Sequence, residues 1–392
     1  MRSLQWVVKA SKFCNLRCSY CYEWDGLSNR DRMPFSLWER VFTAMRTLRT
    51  TVQEQSRDEV GLSLVLHGGE PLTLPTSYLE QVMALGHAML DSSTTTFGLQ
   101  TNLYRLTDEK IDFIKRYKLG VGVSLDVTPG VRKTLTGKPT ESTVMQNMRR
   151  LRDAGVRFGA ITVLAKHTAP RILEIYDYFA REQIPLRILP LFGGPSGRPD
   201  IESFAITEVE LVEAMARLFE HWMESGAPIM LQPFVQYYEV ALRRMISART
   251  RVLDRRVDGE HVFVVDVNGD LYSFHEDYDP EHVIGNLARR QLKDILDSPE
   301  YERSLERDAL LRKRYCSDCE YAAACDSTPL FATDAPLPGA KRCAVAHALY
   351  QRMEQWTERN GFDARTLSAA AFGMLVSGGE ACSNAKPTRA RA

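Results

Sequence analysis

Residues 14–24 read CNLRCSYCYEW and place three cysteines in one short stretch near the start of the chain. Cys14, Cys18 and Cys21 follow a C-x3-C-x2-C spacing, with Tyr20 directly before the last cysteine. Three thiolates can hold three irons of a [4Fe–4S] cube and leave the fourth iron open, whereas a closed structural zinc site needs a fourth residue from elsewhere. The stretch therefore predicts a metal site that lacks one ligand.

The composition is that of a globular protein without a preference for one sign of charge. Of its 392 residues 44% are hydrophobic and 26% charged, and 50 basic residues balance 50 acidic ones. Bulk charge therefore does not favour binding to nucleic acid or to an anionic membrane. The sequence contains no apolar stretch that resembles a signal peptide, nor a run of the roughly 20 apolar residues that a bilayer span needs. We expect a cytoplasmic protein with no nucleic-acid and no membrane partner.

The eight cysteines of the chain fall into two groups and one isolated residue, Cys382. A reducing cytoplasm disfavours a disulfide framework. Clustered cysteines favour ligation of a metal or an iron–sulfur cluster over scattered burial in a core. The first group is the three cysteines at 14–21. The second group consists of Cys316, Cys319, Cys325 and Cys343.

Short apolar runs alternate with amphipathic helical stretches from residue 5 to about residue 224. In the first helical stretch, residues 36–48 place apolar side chains on one face at helical spacing. Thr207 and Glu210 predict a capping box at the start of the last one. Six such β–α units predict an α/β fold with a parallel sheet, open or curved into a partial barrel, whose chemistry lies at the carboxyl ends of the strands. The predicted strands are QWVVKAS, LSLVLHG, TFGLQTN, VGVSLD, GAITVLA and LRILPLF.

The pattern changes after about residue 235, so we place one domain at 1–235 and a small α+β domain at 236–375. The segment HVFVVDVNGDLYSF carries Asn268-Gly269 between two β-rich runs, which predicts a hairpin. A short helix is expected within 291–298, ahead of the second cysteine group. Residues 376–392 lack apolar periodicity, and we predict a disordered tail there.

The first cysteine stretch resembles the cluster-binding motif of radical SAM enzymes, which has this spacing and an aromatic residue before the third cysteine. In that family S-adenosylmethionine chelates the open iron, and its one-electron reduction yields methionine and a 5′-deoxyadenosyl radical that abstracts hydrogen from a substrate. The resemblance implies a partial (β/α)6 barrel, a [4Fe–4S] cluster on Cys14, Cys18 and Cys21, and Tyr20 beside the bound cofactor. A zinc knuckle completed by a distant Cys or His is the alternative.

The segment LHGGEPLT at 66–73 resembles the GGEP motif of the same family. The resemblance implies that Gly68, Gly69 and Glu70 receive the amino group of the methionine moiety. Glycines let a backbone approach a ligand closely, and a carboxylate pairs with an ammonium group. An ordinary glycine pair in a strand–turn–helix connection is the alternative.

Two further segments, 100–102 and 121–126, resemble the ends of the third and fourth strands of the family. The histidine–aspartate pair that usually precedes the arginine of the family is missing here, and the loop is shorter. For Leu164 a place in the core is an equal alternative. The resemblance implies cofactor-binding roles for Asn102, for Ser124 at the ribose, for Arg132 at the methionine carboxylate and for Leu164 at the adenine.

The second cysteine group resembles the C-terminal SPASM extension, which commonly carries two auxiliary [4Fe–4S] clusters. Two positions where the family pattern has cysteine hold Phe274 and Pro329. The resemblance therefore implies a reduced, SPASM/twitch-like domain with one auxiliary [4Fe–4S] cluster, used for electron transfer or structural support. Its ligands would be Cys316, Cys319, Cys325 and Cys343. A structural zinc site with four cysteines is the alternative.

The resemblance implies a reaction on a peptide or protein side chain, such as crosslinking or epimerisation of a ribosomally made peptide or a related maturation. An electron donor such as flavodoxin or ferredoxin would be a partner. His275, Glu276 and Asp277 are candidate general bases, with a solvated acidic turn as the alternative. Other functions left open are formylglycine formation as in anaerobic sulfatase maturation, radical dehydrogenation of a small molecule, and a non-catalytic zinc- or cluster-binding protein.

Overall fold

One mixed sheet runs through most of the chain in a computed structural model, which describes residues 2–56, 59–191, 203–248, 262–273, 280–325 and 343–376. The strands of these ranges are β1 (Arg2–Ser11), β2 (Leu16–Cys18), β3 (Val60–Gly68), β4 (Thr95–Thr101), β5 (Gly120–Ser124), β6 (Arg132–Thr134), β7 (Phe158–Leu164), β8 (Leu186–Pro190), β9 (Leu231–Gln232), β10 (Val262–Val265), β11 (Asp270–Ser273) and β12 (Gly285–Asn286). The helices are α1 (Phe35–Ser56), α2 (Thr76–Met89), α3 (Asp108–Arg116), α4 (Glu141–Asp153), α5 (Ile172–Arg181), α6 (Glu208–Ser225), α7 (Phe234–Met245), α8 (Leu292–Leu296), α9 (Pro299–Cys316), α10 (Ala344–Arg359) and α11 (Ala364–Val376).

The strand order of the main sheet is β12-β11-β10-β1-β3-β4-β5-β7-β8-β9, and β2 pairs with β6 in a separate small ribbon. All pairs from β10 to β9 are parallel. The six strands predicted from the sequence are β1, β3, β4, β5, β7 and β8, and they follow one another in this order, separated by helices. The predicted α/β class with six strand–helix units is confirmed.

Alternation along the strands gives the sheet one buried face and one partly open face. In β3 the side chains of Leu62, Leu64 and Leu66 are buried, while the residues between them are half-buried. Successive side chains of a strand point to opposite faces, so this pattern places the leucines against the helical layer. Helix α1 supplies the predicted apolar face, with Trp38 and Phe42 fully buried. The second face therefore stays accessible to polar side chains at the carboxyl ends of the strands.

The C-terminal helices pack on the helices that follow the sixth strand. The predicted capping box is confirmed, because Thr207 and Glu210 bond each other's backbone N–H groups at the start of α6. Helix α10 packs against α6 and α7, and α11 packs against α7. In this contact the Trp356 ring meets Phe219 edge-on at 5.8 Å.

The predicted hairpin is confirmed as β10 and β11, whose antiparallel register pairs Phe263 with Ser273. Strand β10 also pairs in parallel with β1, so the C-terminal part of the chain extends the sheet of the first part. The domain boundary near residue 235 stays a prediction. Apart from residue 376, the predicted disordered tail lies outside the described residues. Among the helices of the described ranges, none combines the length and apolarity needed to cross a bilayer.

Candidate active site

The first three cysteines lie on the loop that leaves β1 at the carboxyl edge of the sheet. The backbone N–H of Cys14 donates to the carbonyl of Leu27 at 3.0 Å, which closes the loop. Cys18 ends β2 and pairs with Arg132 at the start of β6. The N–H of Cys21 donates to the carbonyl of Cys18 at 3.0 Å. Backbone hydrogen bonds therefore fix the positions of all three cysteines.

The surroundings of these thiols suit an iron–sulfur cluster. All three are free, and burial raises the pKa of Cys14 and Cys21 to about 12 and also raises the pKa of Cys18. The negative charges of Cys18 and Cys21 further raise the pKa of Cys14, and that of Cys18 raises the pKa of Cys21, so the three thiols lie close together. A bound metal deprotonates such thiols outright.

Two amide groups beside Cys14 add donors for a ligand with acceptor atoms. The Nδ2 of Asn15 is buried and has no hydrogen-bond partner in the described part of the chain. The Nδ2 of Asn102 lies 3.6 Å from the Cys14 sulfur. The described residues contain no group of three or more His, Cys, Asp or Glu that could hold a single metal ion. A four-iron cube instead takes its thiolates on separate irons, and three neighbouring thiols beside one unpartnered amide donor, that of Asn15, fit such a group.

Gly68 and Gly69 pack against the backbone that leads into the cysteine loop. A β-carbon on Gly68, whose φ is +121°, would lie 2.1 Å from the carbonyl oxygen of Ser11. On Gly69 it would lie 2.2 Å from the oxygen of Lys12 and 2.3 Å from that of Phe13. These glycines are therefore required for the seating of the cysteine loop, and their contact with a methionine amino group stays a prediction.

Glu70 is a buried carboxylate that joins the ends of β3 and β4. Its oxygens accept hydrogen bonds from the N–H of Leu72 at 2.9 Å, the hydroxyl of Thr101 at 2.7 Å and the N–H of Asn102 at 2.6 Å. Burial raises the pKa of Glu70, and these hydrogen bonds and the charge of Arg132 oppose that rise. A carboxylate has about four lone-pair sites, so capacity for a further donor remains.

Asp126 is a buried residue of this site that the sequence analysis did not single out. It is completely buried, and its Oδ2 accepts hydrogen bonds from the hydroxyl of Tyr20 and from Nε of Arg132. Its Oδ1 accepts a bond of 3.0 Å from the N–H of Val163 on β7. The guanidinium Nη1 of Arg132 lies 3.9 Å from the Cys18 sulfur. The signal was present, since Asp126 closes the VGVSLD segment directly after a strand.

The remaining cofactor candidates occupy different surroundings. Ser124 is half-buried on the partly open face and accepts a hydrogen bond of 2.8 Å from Nε2 of Gln100. Leu164 is completely buried in the hydrophobic core, which agrees with the alternative interpretation, and its adenine contact stays a prediction. His167 was not expected from the sequence, although it closely follows β7. Its ring stacks on Tyr20 at 5.8 Å, and both ring nitrogens are buried without a partner among the described residues.

The second cysteine group lies between α9 and α10. Helix α9 ends at Cys316, and Cys343 directly precedes α10. Cys316 interacts electrostatically with Cys319 and Cys325, and Cys343 with Cys316 and Cys325, so the structure brings all four together. Burial raises the pKa of Cys343 to about 12.

Phe274, Pro329 and the candidate bases His275, Glu276 and Asp277 lie outside the described residues.

Two family models match this chain, one in its N-terminal part and one in its C-terminal part. The profile of the radical SAM superfamily matches residues 8–179, and that of SPASM, an iron–sulfur cluster-binding domain, matches residues 258–320. The chain carries a radical SAM domain and a SPASM domain. It is an S-adenosylmethionine-dependent enzyme, and its two matched domains are of kinds that bind S-adenosylmethionine and iron–sulfur clusters.

Curated relatives of this radical SAM chain include two kinds of anaerobic sulfatase-maturating enzyme. The serine-type enzyme of Bacteroides thetaiotaomicron is 23% identical over 82% of this chain and 80% of its own length. The cysteine-type enzyme of Clostridium novyi is 21% identical over 83% of this chain and 88% of its own.

Solved structures share the fold. The structure of anSMEcpe with bound AdoMet and Cp18Cys peptide superposes with a TM-score of 0.71 at 17% identity, covering 94% of this chain and 100% of that one. Streptococcus suis SuiB bound to the precursor peptide SuiA gives a TM-score of 0.55 at 14% identity, over 83% of this chain and 71% of that one.

The replacement of Gly69 by alanine tests the seating of the cysteine loop. Because the added β-carbon would collide with the carbonyl oxygens of Lys12 and Phe13, we expect Gly69→Ala to lose about 1–3 kcal/mol of unfolding free energy. Iron content after anaerobic reconstitution should fall with it. The matched control is Gly120→Ala, whose β-carbon would approach nothing closer than 3.8 Å. Equal urea midpoints and iron contents for the two variants would contradict the assignment.

The replacement of Asp126 by asparagine tests the buried ion pair. Asp126→Asn leaves the guanidinium of Arg132 buried without its counter-ion, and we expect a loss of about 3–5 kcal/mol in the free energy of unfolding in urea. The control is Asp108→Asn, which removes an exposed ion pair with Arg150 and should cost less than about 1 kcal/mol. Similar losses of unfolding free energy in both variants would show that the buried ion pair of Asp126 stabilises the fold no more than the exposed pair of Asp108.

Proposed function

We propose that this enzyme abstracts a hydrogen atom from a peptide or protein side chain at the cysteine loop. The observation that carries the proposal is the convergence of separate motifs at one edge of the sheet. Glu70 contacts Asn102, Asn102 contacts Cys14, and Arg132 lies beside Cys18. Residues just after β3 and β4, together with the first residue of β6, thus lie beside the group of three thiols.

The charges around the loop suit the methionine end of S-adenosylmethionine. That end carries an ammonium and a carboxylate, and the loop has a buried carboxylate in Glu70 and a buried guanidinium in Arg132. The charge of Arg132 acts on the pKa of Glu70, so the two groups lie near each other. Cys14, Cys18 and Cys21 would hold a [4Fe–4S] cluster that, with S-adenosylmethionine bound, supplies a 5′-deoxyadenosyl radical. The protein's own contribution is to fix the opposite charges and to exclude water around them.

A peptide substrate is supported by the solved structures with this fold. Both anSMEcpe and SuiB are recorded with bound peptides. Formylglycine formation is the second candidate, and the sulfatase-maturating relatives favour it because they match this chain over most of their length. Crosslinking or epimerisation of a ribosomally made peptide is the alternative bond chemistry on the same kind of substrate.

The four cysteines of the second group would hold one auxiliary [4Fe–4S] cluster. Four thiolates leave no iron open, so this cluster would serve electron transfer or structure. A reduced flavodoxin or ferredoxin would supply electrons to the enzyme. His275, Glu276 and Asp277 stay the candidate bases for a proton released from the substrate.

Metal content and cofactor cleavage test the two clusters. We expect about eight irons per chain after anaerobic reconstitution, four for each cluster, and release of 5′-deoxyadenosine under reducing conditions. Cys18→Ala should abolish that release and remove about half of the iron. The matched variant Cys316→Ala should lose iron from the second site and still release 5′-deoxyadenosine. Bound zinc without 5′-deoxyadenosine in the unmodified protein would indicate a non-catalytic metal-binding protein.

The product of the reaction can be identified by mass spectrometry of candidate peptide substrates. A peptide with a sulfatase-type Cys or Ser site should gain a hydrazide-reactive aldehyde if the enzyme makes formylglycine. A precursor peptide encoded beside the enzyme should lose a pair of hydrogens without that reactivity if it is crosslinked. If it is epimerised, its mass should stay unchanged in H2O and should rise by uptake of deuterium in D2O. Turnover of neither peptide would contradict a peptide substrate and favour a small molecule.

A further inference from the structure

The hydroxyl of Tyr350 lies against the second cysteine group. Its oxygen is 3.5 Å from the sulfur of Cys325, within hydrogen-bond range for sulfur. Tyr350 belongs to α10, the helix that begins directly after Cys343, and only 2% of the residue is exposed. A buried tyrosine hydroxyl normally finds a hydrogen-bond partner, and here the sulfur is one.

The direction of this hydrogen bond is fixed once the cysteine binds iron. A thiol and a phenol can each donate, but an iron-bound cysteine is a thiolate and has no proton left. The phenol must then be the donor and the sulfur the acceptor. Such a bond to a charged acceptor is stronger than one between neutral groups.

Neighbouring rings hold the Tyr350 side chain in this orientation. The ring lies 4.9 Å from that of Tyr321 and 5.5 Å from that of Tyr237 on α7, centroid to centroid. Tyr321 is itself fixed, because its hydroxyl donates to Glu354 at 2.8 Å and Glu354 pairs with Arg244. These neighbours therefore hold the hydroxyl of Tyr350 against the sulfur of Cys325.

We propose that Tyr350 donates a hydrogen bond to the thiolate of Cys325 and thereby raises the reduction potential of the auxiliary cluster. The inference rests on the proposed function, since it requires a cluster at this site. Hydrogen bonds to the sulfurs are among the factors that set the potential of an iron–sulfur cluster. A donor withdraws electron density from the sulfur, which stabilises the more negative, reduced state. Tyr350 is thus a positioning residue that acts through Cys325.

The test is the midpoint potential of the auxiliary cluster in variants of the full chain. In a Cys18→Ala background the first cluster is disabled, so an electron paramagnetic resonance titration reports on the second alone. Tyr350→Phe keeps the ring and removes the hydroxyl, and we expect unchanged iron at this site with a midpoint shifted to more negative potential. The matched control is Tyr238→Phe, which removes another buried hydroxyl, bonded to Thr357 of α10 at 2.7 Å, and its midpoint should stay at the parent value.

The possible results distinguish a failure of the Tyr350 inference from a failure of the proposed auxiliary cluster. An intact cluster whose potential is unchanged or more positive in Tyr350→Phe overturns the inference and leaves the proposed function standing. Zinc, or no metal, at this site in the parent protein overturns the proposed auxiliary cluster itself. If Tyr350→Phe cannot hold the cluster, the parent protein made with 3-fluorotyrosine serves instead. Its more acidic phenols are stronger donors, so the potential should rise, and an unchanged value counts against the inference.

Discussion

The buried carboxylate of Asp126 is the interaction on which the candidate active site depends. A charge with no exposure to water is tolerated only when it is paired and hydrogen-bonded. Its partners come from the cysteine loop through Tyr20, from β6 through Arg132 and from β7 through Val163. These segments are distant in sequence, and satisfying one carboxylate requires all of them to be in place together. The hydrogen bonds of this one carboxylate thus hold the cysteine loop against β6 and β7.

Steric contact fixes the other side of the same loop. The two glycines of the GGE segment allow the backbone of residues 11–13 to approach where a side chain would collide. The N–H of Gly69 and that of Glu70 then donate to the carbonyls of Ser11 and Phe13 at 3.0 and 2.9 Å. A motif that resembles a ligand-binding element therefore also packs and hydrogen-bonds the cysteine loop against the end of β3. Its glycines bring the carboxylate of Glu70 up to the cysteine loop.

The sequence predicted those features that leave a local signal. The six strands follow from apolar runs, the capping box from the spacing of Thr207 and Glu210, and the hairpin from Asn268-Gly269. The parallel pairing of β10 with β1 could not be predicted in this way, because it joins strands far apart in the chain and changes neither one's pattern. The partners of Asp126 and His167 could not be predicted for the same reason. Both residues contact Tyr20, which is distant from them in sequence and is brought next to them only by the fold.

The two cysteine groups are joined to the same framework by two independent connections. Strand β1 leads directly into the first cysteine loop, and β10 of the C-terminal part pairs along it. On the other side α10, which begins after Cys343, is tied to α7 by the ion pair of Glu354 with Arg244. A shared sheet and a packed helix pair therefore hold the two cysteine groups on one framework, which is the constant separation that the auxiliary cluster proposed above would need to exchange electrons with the first.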